Sequence, residues 1–428
     1  MPIVVQKYGG SSLADADRIR LVADRIQGDR ERGAALVVVV SAMGDTTDHL
    51  LELAAGITDD PDPREMDVLL ATGEHMSGTL VAMALHAMDV PAISLTGAQA
   101  GIRTDTSHGR ARIANIDPAR VHRELAAGKV VIVAGFQGAT EESNVTGDVT
   151  TLGRGGSDTT AVALAAQLRA ERCEIFTDVE GIFTADPRLV PDARLMPVVG
   201  YEEMLELALQ GAQVMQPRAV ELGWVNGIEI AVRSTFSQHP GTRIKEDRQV
   251  EQRNKVRGLA TDRHVAKVTL VGVPDVPGIA RRVFEPLAAA GVRVDMIVQN
   301  VSHSGATDMS FTVDRADLAK VKRLLEPIVR EMDARELTTD SAIAKVSIVG
   351  AGIHNAPGYA ARMFGALADQ GVNIEMISTS EIRITCIIAE DDLERAARAL
   401  HTAFQLEQPE EVVEASPEAA ATSKMLRG

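Results

Sequence analysis

The first part of the chain alternates between short apolar stretches and longer segments whose apolar residues recur at helical spacing. Residues 36–40 form a continuous apolar run, which is typical of a strand buried on both faces of a parallel sheet. The pattern predicts strands at residues 3–5, 36–40, 92–95, 130–134 and 229–234, the last of which closes this domain. It predicts helices at about residues 15–32, 65–88, 160–168, 202–209 and 214–222. Strands that alternate with helices indicate a largely parallel, three-layer α/β sheet.

A glycine loop leads directly into the Ala-rich helix that follows residue 160. Its sequence is Gly153-Arg154-Gly155-Gly156-Ser157-Asp158-Thr159-Thr160. Glycines let the backbone approach a ligand closely, and Ser157, Asp158 and Thr159 are all suitable N-cap residues. The helix start offers N–H groups at the positive end of its dipole, and Arg154 can bind a carboxylate or phosphate through two hydrogen bonds. The loop therefore predicts an anion site, although an ordinary capped turn fits the same residues.

A second glycine loop, Lys7-Tyr8-Gly9-Gly10-Ser11-Ser12, follows the first strand. Its lysine, backbone N–H groups and hydroxyls suit phosphate binding, and a surface turn with a solvated lysine is the alternative. Neither the G-x-x-x-x-G-K-[ST] nor the G-x-G-x-x-G pattern occurs, which argues against a Walker A loop and a dinucleotide fold.

Three further segments carry candidate chemistry. Ser41 to Asp48 follow a buried strand, where open α/β sheets bind ligands. Glu74, beside Gly73 in a predicted helix, is either solvated or the partner of a substrate ammonium group. Asp178 ends a strand, where it could meet a ribose hydroxyl or the Mg²⁺ shell.

The last third of the chain contains an internal repeat. The matching segments are residues 266–272 with 344–350, 277–280 with 357–360, and 291–297 with 371–377. Each copy predicts the order strand, Pro-Gly turn, helix, strand, strand, helix. Two copies are enough to form a paired module that binds small molecules at the interface between them. A polar stretch before the repeat predicts a linker, and Val412-Val413 could add a final edge strand.

Composition narrows the possible partners. The formal net charge is −16 with a pI near 5.1, which argues against nucleic acid and anionic membranes as partners. We expect no signal peptide, no apolar run of the ~18 residues that span a membrane, and no metal site among the ten histidines. Cys173 and Cys386 lie in apolar runs and predict reduced core residues of a cytoplasmic protein.

With these motifs in view, the chain resembles the aspartate kinases over nearly all of its length. The resemblance rests on the two glycine loops, on Val39-Val40-Ser41-Ala42-Met43-Gly44 and on the run from Thr177 through Phe183 to Arg188. The doubled unit is similar to the tandem ACT domains of that family. The resemblance implies a three-layer αβα amino-acid-kinase fold followed by two ferredoxin-like ACT (βαββαβ) domains. The implied segments are a catalytic domain 1–245, a linker 246–265, ACT domains 266–340 and 344–413, and a tail 414–428.

The resemblance also implies transfer of the ATP γ-phosphoryl group to the β-carboxylate of L-aspartate, with Mg²⁺ held through the nucleotide. Lys7, Arg154 and Asp178 would be catalytic. The implied ATP-binding residues are Lys7, Tyr8, Gly9, Gly10, Ser11, Thr177, Asp178, Phe183, Arg188 and Gln213. The implied aspartate-binding residues are Ser41, Thr47, Glu74, Arg154, Gly155, Ser157 and Asp158.

Two positions depart from the family pattern. Phe183 stands where tyrosine is frequent, and Gln213 stands where lysine is frequent. Amino-acid kinases that act on glutamate, acetylglutamate, carbamate or nucleotides fit the start motif and the ACT pair less well. A non-catalytic amino-acid sensor is the alternative that Gln213 leaves open.

In the family, lysine or threonine binds at the interface of the tandem ACT domains, and a homodimer or higher assembly forms through them. The matching effector residues here are Asp275, Gly278, Ile279, Gln299, Asn300, Asn373, Ile374, Ser380 and Glu381. A helix start after a Pro-Gly turn supplies N–H groups for a carboxylate, and Asp275 or Glu381 could meet an ammonium group. Turn and strand-edge residues without a ligand are the alternative.

Overall fold

The computed structural model describes residues 1–141, 147–246, 256–300, 306–353 and 358–409. These residues form two compact units. The first comprises the described residues of Met1–Ile182, Leu195–Leu209 and Gln213–Asp247, and the second those of Phe183–Arg194, Gln210–Ala212 and Arg248–Gly428. The expected continuous domain 1–245 is therefore interrupted. Phe183–Arg194 belongs to the second unit because Ala185 and Val190 lie in that unit's hydrophobic core.

The strands of the first unit are short, as the sequence pattern predicts. In chain order they are β1 Ile3–Tyr8, β2 Ala35–Val40, β3 Ala92–Leu95, β4 Ile102–Thr104, β5 Ile113–Ile116, β6 Val130–Ala134, β7 Gln137–Thr140, β8 Val149–Thr151, β9 Arg172–Thr177, β10 Val198–Val199, β11 Ile230–Ser234 and β12 Thr242–Ile244. The predicted strands at β1, β2, β3, β6 and β11 are confirmed. The strand at 230–234 is not the last of this unit, since β12 follows it.

Eight of these strands form the central sheet, in the order β10-β12-β11-β9-β1-β2-β6-β3. Neighbouring strands are parallel except β11 and β12. The remaining four form a small sheet in the order β5-β4-β7-β8. The hydrophobicity pattern missed this small sheet because its strands have only three or four residues and carry many polar side chains.

Helices cover both faces of the central sheet, which confirms the αβα prediction. In chain order they are α1 Ala16–Glu31, α2 Thr46–Ala55, α3 Pro63–His86, α4 Ala119–Ala126, α5 Gly156–Gln167, α6 Tyr201–Leu209 and α7 Pro217–Asn226. Apolar residues of α1 and α3 pack with β1, β2 and β6 in one core. Helix α5 contacts β1, β2 and β9, and its residues from 156 to 165 are all buried. Helix α7 begins three residues later than predicted, because Pro217 suits only the first helical turn.

Helix α3 is the most apolar of the long helices. By length and composition it could cross a membrane, with a mean hydropathy of 1.3 over its most apolar window, so the expectation of no such run is wrong for this segment. Its buried residues include Asp67, Glu74, Leu85 and others that face the protein interior. Core helices of soluble proteins meet the same criterion, and packing on the sheet explains this composition.

The second unit contains two antiparallel four-stranded sheets with paired helices. Its strands are β13 Gly258–Asp262, β14 Val265–Pro274, β15 Val294–Gln299, β16 Ala306–Asp314, β17 Glu336–Asp340, β18 Ile343–Val349, β19 Met376–Thr379 and β20 Arg383–Ala389. Its helices are α8 Ile279–Ala289, α9 Leu318–Glu331, α10 Tyr359–Asp369 and α11 Leu393–Ala403. The predicted order of strand, helix, strand, strand, helix is confirmed in both copies.

The sheet orders are β15-β16-β14-β17 and β13-β18-β20-β19. Strand β13 precedes the first copy in sequence but pairs with β18 of the second, from Gly258 opposite Val349 to Asp262 opposite Lys345. The predicted linker 246–265 therefore contains a strand of the sheet formed by the second repeat copy. The predicted edge strand Val412-Val413 and the tail 414–428 lie outside the described residues.

Candidate active site

The candidate site lies where the central strands of the first unit end. Strand order reverses between β9 and β1, and in open α/β sheets such a switch point forms the ligand crevice at the carboxyl ends of the strands. There the Gly9 N–H donates to the Phe176 carbonyl at 3.2 Å, and the Ser41 N–H donates to the Tyr8 carbonyl at 3.1 Å. These bonds extend the sheet beyond the last strand residues and fix the start of both loops.

Lys7 and Asp158 form an ion pair at this edge. The distance between Lys7 Nζ and Asp158 Oδ1 is 2.6 Å, and the side chains are only 13% and 9% exposed. Lys7 lies near the end of β1, and Asp158 lies in the first turn of α5. The pair therefore joins the two glycine loops that the sequence singled out separately.

The first glycine loop is tightly packed. A Cβ atom on Gly10 would lie 2.7 Å from the Ala42 carbonyl oxygen, so a larger residue would displace the loop after β2. Ser12 is buried and shares a 2.6 Å hydrogen bond with the Thr235 hydroxyl, whereas Ser11 accepts a bond from Arg18 at its carbonyl oxygen. The tyrosine of this motif faces away from the crevice.

The Tyr8 ring is fully buried and stacks on Phe176, with 4.8 Å between the ring centroids. Burial raises the pKa of its hydroxyl well above the usual value. The expectation that Tyr8 binds ATP is therefore corrected for the side chain, which has no access to a ligand. Its backbone carbonyl holds Ser41 instead.

Glu74 is a buried carboxylate with one unoccupied oxygen. Its side chain lies on α3 and the residue is 3% exposed. The Ala42 N–H donates to Glu74 Oε1 at 3.1 Å, while Oε2 has no hydrogen-bond partner in the described structure. Burial raises the pKa of Glu74 to about 7, against the lowering effect of the backbone hydrogen bonds. A buried unpaired acceptor is costly, and such groups often mark functional sites.

The second glycine loop adopts backbone conformations that favour glycine. Gly153 and Gly155 have φ angles of +78° and +68°, and a Cβ atom on Gly155 would lie 1.7 Å from Gln216 Cγ. Gly155 is the N-cap of α5, without a side-chain capping bond. The prediction that Ser157, Asp158 or Thr159 caps the helix is wrong, since all three lie within its first turn. Arg154 is exposed between the two glycines.

The remaining substrate candidates surround the same edge. Ser41 follows β2, Thr47 lies in the first turn of α2, and both are half-buried. Ser157 is buried in α5, and a Cβ atom on Gly135 after β6 would lie 2.8 Å from its Oγ. Glycine is needed at position 135 because α5 approaches the sheet so closely there.

The predicted nucleotide residues divide between the two units. Thr177 ends β9 and donates its hydroxyl to Asp178 Oδ1 at 3.0 Å, and Asp178 is exposed. Gln213 is exposed between α6 and α7 of the first unit. Phe183 and Arg188 belong to the second unit, where Arg188 pairs with Asp186 at 2.8 Å.

The effector candidates lie at the ends of equivalent elements in the two copies. Gly278 and Gly358 are the N-caps of α8 and α10, with φ angles of +94° and +103°. Ile279 is buried at the start of α8, and Asp275 is exposed before it. Gln299 ends β15 and Asn300 follows it. The remaining candidates flank β19, namely Asn373, Ile374, Ser380 and Glu381. The Ser380 hydroxyl is buried without a hydrogen-bond partner in the described structure.

Sequence reasoning missed a polar cluster next to the second glycine loop. Asp67 of α3 is fully buried and accepts hydrogen bonds from His108, Gly109 and Thr151. Nearby, His75 shares a 2.7 Å hydrogen bond with Gln137. A carboxylate directly before the apolar run 68–71 of this helix was the available signal, since buried charges need partners.

Comparison with known proteins agrees with this geometry. Residues 2–234 match the model of the amino acid kinase family, and residues 268–327 and 346–404 each match that of the ACT domain. The aspartokinase of Corynebacterium glutamicum is 51% identical over 418 residues, which cover 96% of this chain and 98% of that protein. The chain belongs to the amino acid kinase family and, within it, to the aspartate kinases.

Further matches agree with this family assignment. The aspartate kinase of Pseudomonas putida is 48% identical over 96% of this chain and 99% of its own length. The crystal structure of E. coli aspartokinase III with aspartate and ADP is similar with a TM-score of 0.78 and 26% identity, covering 94% of this chain and 99% of that one. The crystal structure of the same enzyme with lysine and aspartate is similar with a TM-score of 0.70 and 27% identity, and it covers the same shares of both chains. These matches support the kinase prediction and give no support to the non-catalytic sensor.

Among the described residues, no group of three or more His, Cys, Asp or Glu side chains is arranged to hold a metal ion. Mg²⁺ commonly keeps several waters and binds through one or two carboxylates plus substrate phosphates. The exposed carboxylate of Asp178 fits that mode of binding.

Proposed function

We propose that the chain transfers the γ-phosphoryl group of ATP to the β-carboxylate of L-aspartate, giving 4-phospho-L-aspartate and ADP. A carboxylate oxygen forms the new bond to phosphorus, and the bond to the oxygen that bridges the β- and γ-phosphates breaks. The observation that carries the proposal is the Lys7–Asp158 pair at the switch point of an amino-acid-kinase sheet. Phosphoryl transfer depends mainly on positioning and charge neutralisation, which these groups supply.

Aspartate binding is assigned to the acidic and basic groups around this edge. Glu74 Oε2, buried and unpartnered, suits the substrate ammonium group, and exposed Arg154 suits a substrate carboxylate. Ser41, Thr47, Gly155, Ser157 and Asp158 complete or support this pocket. Asp158 also holds Lys7, and this contact supports a role in orienting the lysine.

Nucleotide binding is assigned to the other side of Lys7. The ammonium group of Lys7 would stabilise the transferring phosphoryl group, with help from the backbone of Gly9, Gly10 and Ser11. Thr177 ends β9 beside that loop and Asp178 follows it, and Asp178 would contact the Mg²⁺ shell. Mg²⁺, held through the nucleotide, neutralises phosphate charge when bound. Phe183, Arg188 and Gln213 complete the assignment by resemblance.

Feedback control is assigned to the ACT domains. Lysine, threonine or both would bind at the effector residues and shift an ACT-mediated dimer between active and inhibited states. The enzyme would thereby control the first step towards lysine, threonine and methionine in the cytoplasm. Asp275→Ala should weaken inhibition and leave uninhibited turnover near normal. Equal inhibition of the variant and the parent enzyme would contradict this assignment.

The proposal is tested by trapping the acyl phosphate with hydroxylamine in the presence of MgATP. Hydroxamate should form with L-aspartate and not with glutamate, and added lysine or threonine should reduce it. Formation of product from glutamate alone would indicate a different kinase. Gln213→Lys tests the nucleotide side, since an added cation near the phosphates should lower the KM for MgATP without changing that for aspartate.

A further inference from the structure

The hairpin loop between β4 and β5 is anchored by a buried carboxylate that the proposed chemistry does not use. His108 Nδ1 lies 2.8 Å from Asp67 Oδ2, and the Gly109 N–H donates to both Asp67 oxygens at 3.0 and 3.1 Å. Asp67 is 1% exposed and His108 is 20% exposed at the side chain. Two consecutive residues of the loop are thus held by one side chain of α3.

The same carboxylate holds the strand that leads into the second glycine loop. The Thr151 hydroxyl donates to Asp67 Oδ1. The Ala111 N–H of the hairpin loop donates to the Thr151 carbonyl at 2.8 Å. Asp67 therefore ties the hairpin loop and the end of β8 together, two residues before Gly153.

A second clamp acts on the next residue. Arg218 of α7 donates from Nη1 to the Leu152 carbonyl at 3.0 Å and from Nη2 to the Ala111 carbonyl at 3.3 Å. The hairpin loop is also in close contact with Gly153, whose Cβ position lies 3.2 Å from the Gly109 carbonyl oxygen. The backbone on the N-terminal side of Arg154 is thus fixed by α3, by α7 and by the hairpin loop.

We infer that the Asp67–His108 pair positions the glycine loop of Arg154 and thereby sets the affinity for L-aspartate. Arg154 itself is exposed, and a long exposed side chain is positioned mainly by its backbone. Loss of the His108 contact removes one of the two loop residues that Asp67 holds and, through Gly109 and Ala111, loosens the loop of Arg154. This inference rests on the proposed role of Arg154, and His108 is a positioning residue that does not touch the substrate.

The test combines a mutant cycle with amide hydrogen exchange on the full-length enzyme. His108→Ala should raise the KM for aspartate about tenfold, as expected when a hydrogen bond to a buried charge is lost, and change the KM for MgATP less than twofold. His108→Asn, whose amide can donate in place of Nδ1, should restore most of the affinity. Amide exchange in residues 151–156 should accelerate in His108→Ala and not in His108→Asn.

The decisive comparison uses the Arg154→Ala background. If His108 acts through Arg154, adding His108→Ala to Arg154→Ala should raise the aspartate KM by less than twofold more, because residues that act as a unit are non-additive. Glu174→Gln is the control, since Glu174 is a buried carboxylate like Asp67 but pairs with Gln6, Arg172 and Arg233. Any effect of Glu174→Gln on the KM for aspartate should add to that of Arg154→Ala.

Several outcomes would overturn the inference. They are unchanged exchange in residues 151–156, an equal loss in kcat for all substrates, and a full tenfold effect in the Arg154→Ala background. Failure of the proposed function is separate, because it appears as absence of hydroxamate from aspartate in the parent enzyme. In that case the exchange measurement still decides whether His108 holds the loop.

Discussion

Lys7 Nζ and Asp158 Oδ1 lie 2.6 Å apart, and this contact joins the end of the first strand to the first turn of helix α5. Both side chains are largely buried, so their electrostatic interaction is stronger than it would be at the surface. The aspartate fixes the direction of a flexible lysine, and the helix start beside it offers N–H groups towards anions. Asp158 therefore positions the ammonium group of Lys7. The two residues have different roles, since Lys7 would act on the transferring group and Asp158 would orient Lys7.

Loss of the lysine should affect chemistry, whereas loss of the aspartate should affect its orientation. We expect Lys7→Met to lower kcat by about 10²–10³-fold, since one charged donor to the transferring group is removed. Asp158→Asn retains a side chain of the same size and should lower kcat by about tenfold. Steady-state kinetics measure both, and Lys129→Met, which removes a lysine paired with Glu124 on the surface, is the control. Unchanged kcat in Lys7→Met would contradict the assignment.

Glu74 predicts a pH dependence of aspartate binding. Burial raises its pKa to about 7, and only the ionised carboxylate can pair with the substrate ammonium group. The KM for aspartate should therefore rise as the pH falls through about 7, and Glu74→Gln should have a high KM that no longer depends on pH in this range. Glu65→Gln, an exposed position on the same helix, is the control and should behave as the parent enzyme.

Glu74→Gln should be more stable than the parent enzyme at high pH, although it should bind aspartate more weakly. The folded-state pKa of Glu74 lies above its ordinary value of 4.5, so folding favours the protonated form. This contribution to stability is complete below about pH 4.5 and is lost as the pH rises through about 7. At pH 8 the variant should be more stable than the parent by up to about 3 kcal/mol, as measured by chemical unfolding. A less stable variant at pH 8 would show that the carboxylate is satisfied in the folded protein.

Local sequence signals predicted the strands β1, β2, β3, β6 and β11 of the central sheet, together with one glycine loop after β1 and another at the start of α5. Residues 36–40 are apolar because β2 is buried on both faces, and that burial leaves a continuous apolar run that can be recognised directly in the sequence. The pairing of Lys7 with Asp158 could not be read in this way. Their loops meet only through the strand order of the sheet, which depends on contacts between distant segments.

Segments that pack away from their sequence neighbours were the main failures. The sequence predicts a linker where β13 forms, because its partner β18 lies far along the chain. It predicts that Phe183–Arg194 is part of the catalytic domain, but Ala185 and Val190 are buried in the core of the second unit. Neither segment is long or periodic enough to indicate its partner. The internal repeat, in contrast, predicted the same order of strands and helices in both copies, which the structure confirms.

The two repeat copies exchange ion pairs between equivalent positions. Lys345 Nζ lies 2.8 Å from Asp295 Oδ2, and Lys267 pairs with Glu375. In the repeat Lys345 corresponds to Lys267, and Asp295 to Glu375. The pairs differ in burial, since the Lys345 side chain is 5% exposed and those of Lys267 and Glu375 are both 23% exposed.

Because Lys345 is buried, loss of its partner should reduce stability more than loss of the partner of Lys267. Among the described residues, Asp295→Ala leaves the buried ammonium group with only Asp262, 4.0 Å away, and should lower the free energy of unfolding by about 1–3 kcal/mol. Lys345→Met in the Asp295→Ala background should recover most of this loss, because an apolar side chain of similar length tolerates burial. Glu375→Ala, the matched change at the partly exposed pair, should cost below about 1 kcal/mol. Equal costs for the two pairs, by thermal unfolding of the full chain, would contradict the argument.

His401 holds the segment Phe183–Arg194 within the second unit. Its Nε2 lies 2.9 Å from the Thr184 hydroxyl, and the residue is 1% exposed. Arg398, on the same helix, donates to the Leu189 carbonyl at 2.9 Å. Burial lowers the pKa of His401 from its ordinary value, against the raising effect of Glu407 and Asp192. The imidazole is therefore held in its neutral form.

A histidine that is buried in its neutral form makes stability depend on pH in a defined direction. The unfolded chain takes up the proton near pH 6.5 and the folded chain only at lower pH, so stability is fully present above about 6.5 and falls as the pH drops towards the folded-state pKa. His401→Gln cannot take up this proton, although its amide can still bond to Thr184. Between pH 7 and pH 5 the Tm of the full chain should therefore fall less in His401→Gln than in the parent. His264→Gln, at an exposed position of the same unit, should retain the parent slope. A parent slope in His401→Gln would mean that the imidazole charges as readily in the folded chain as in the unfolded one.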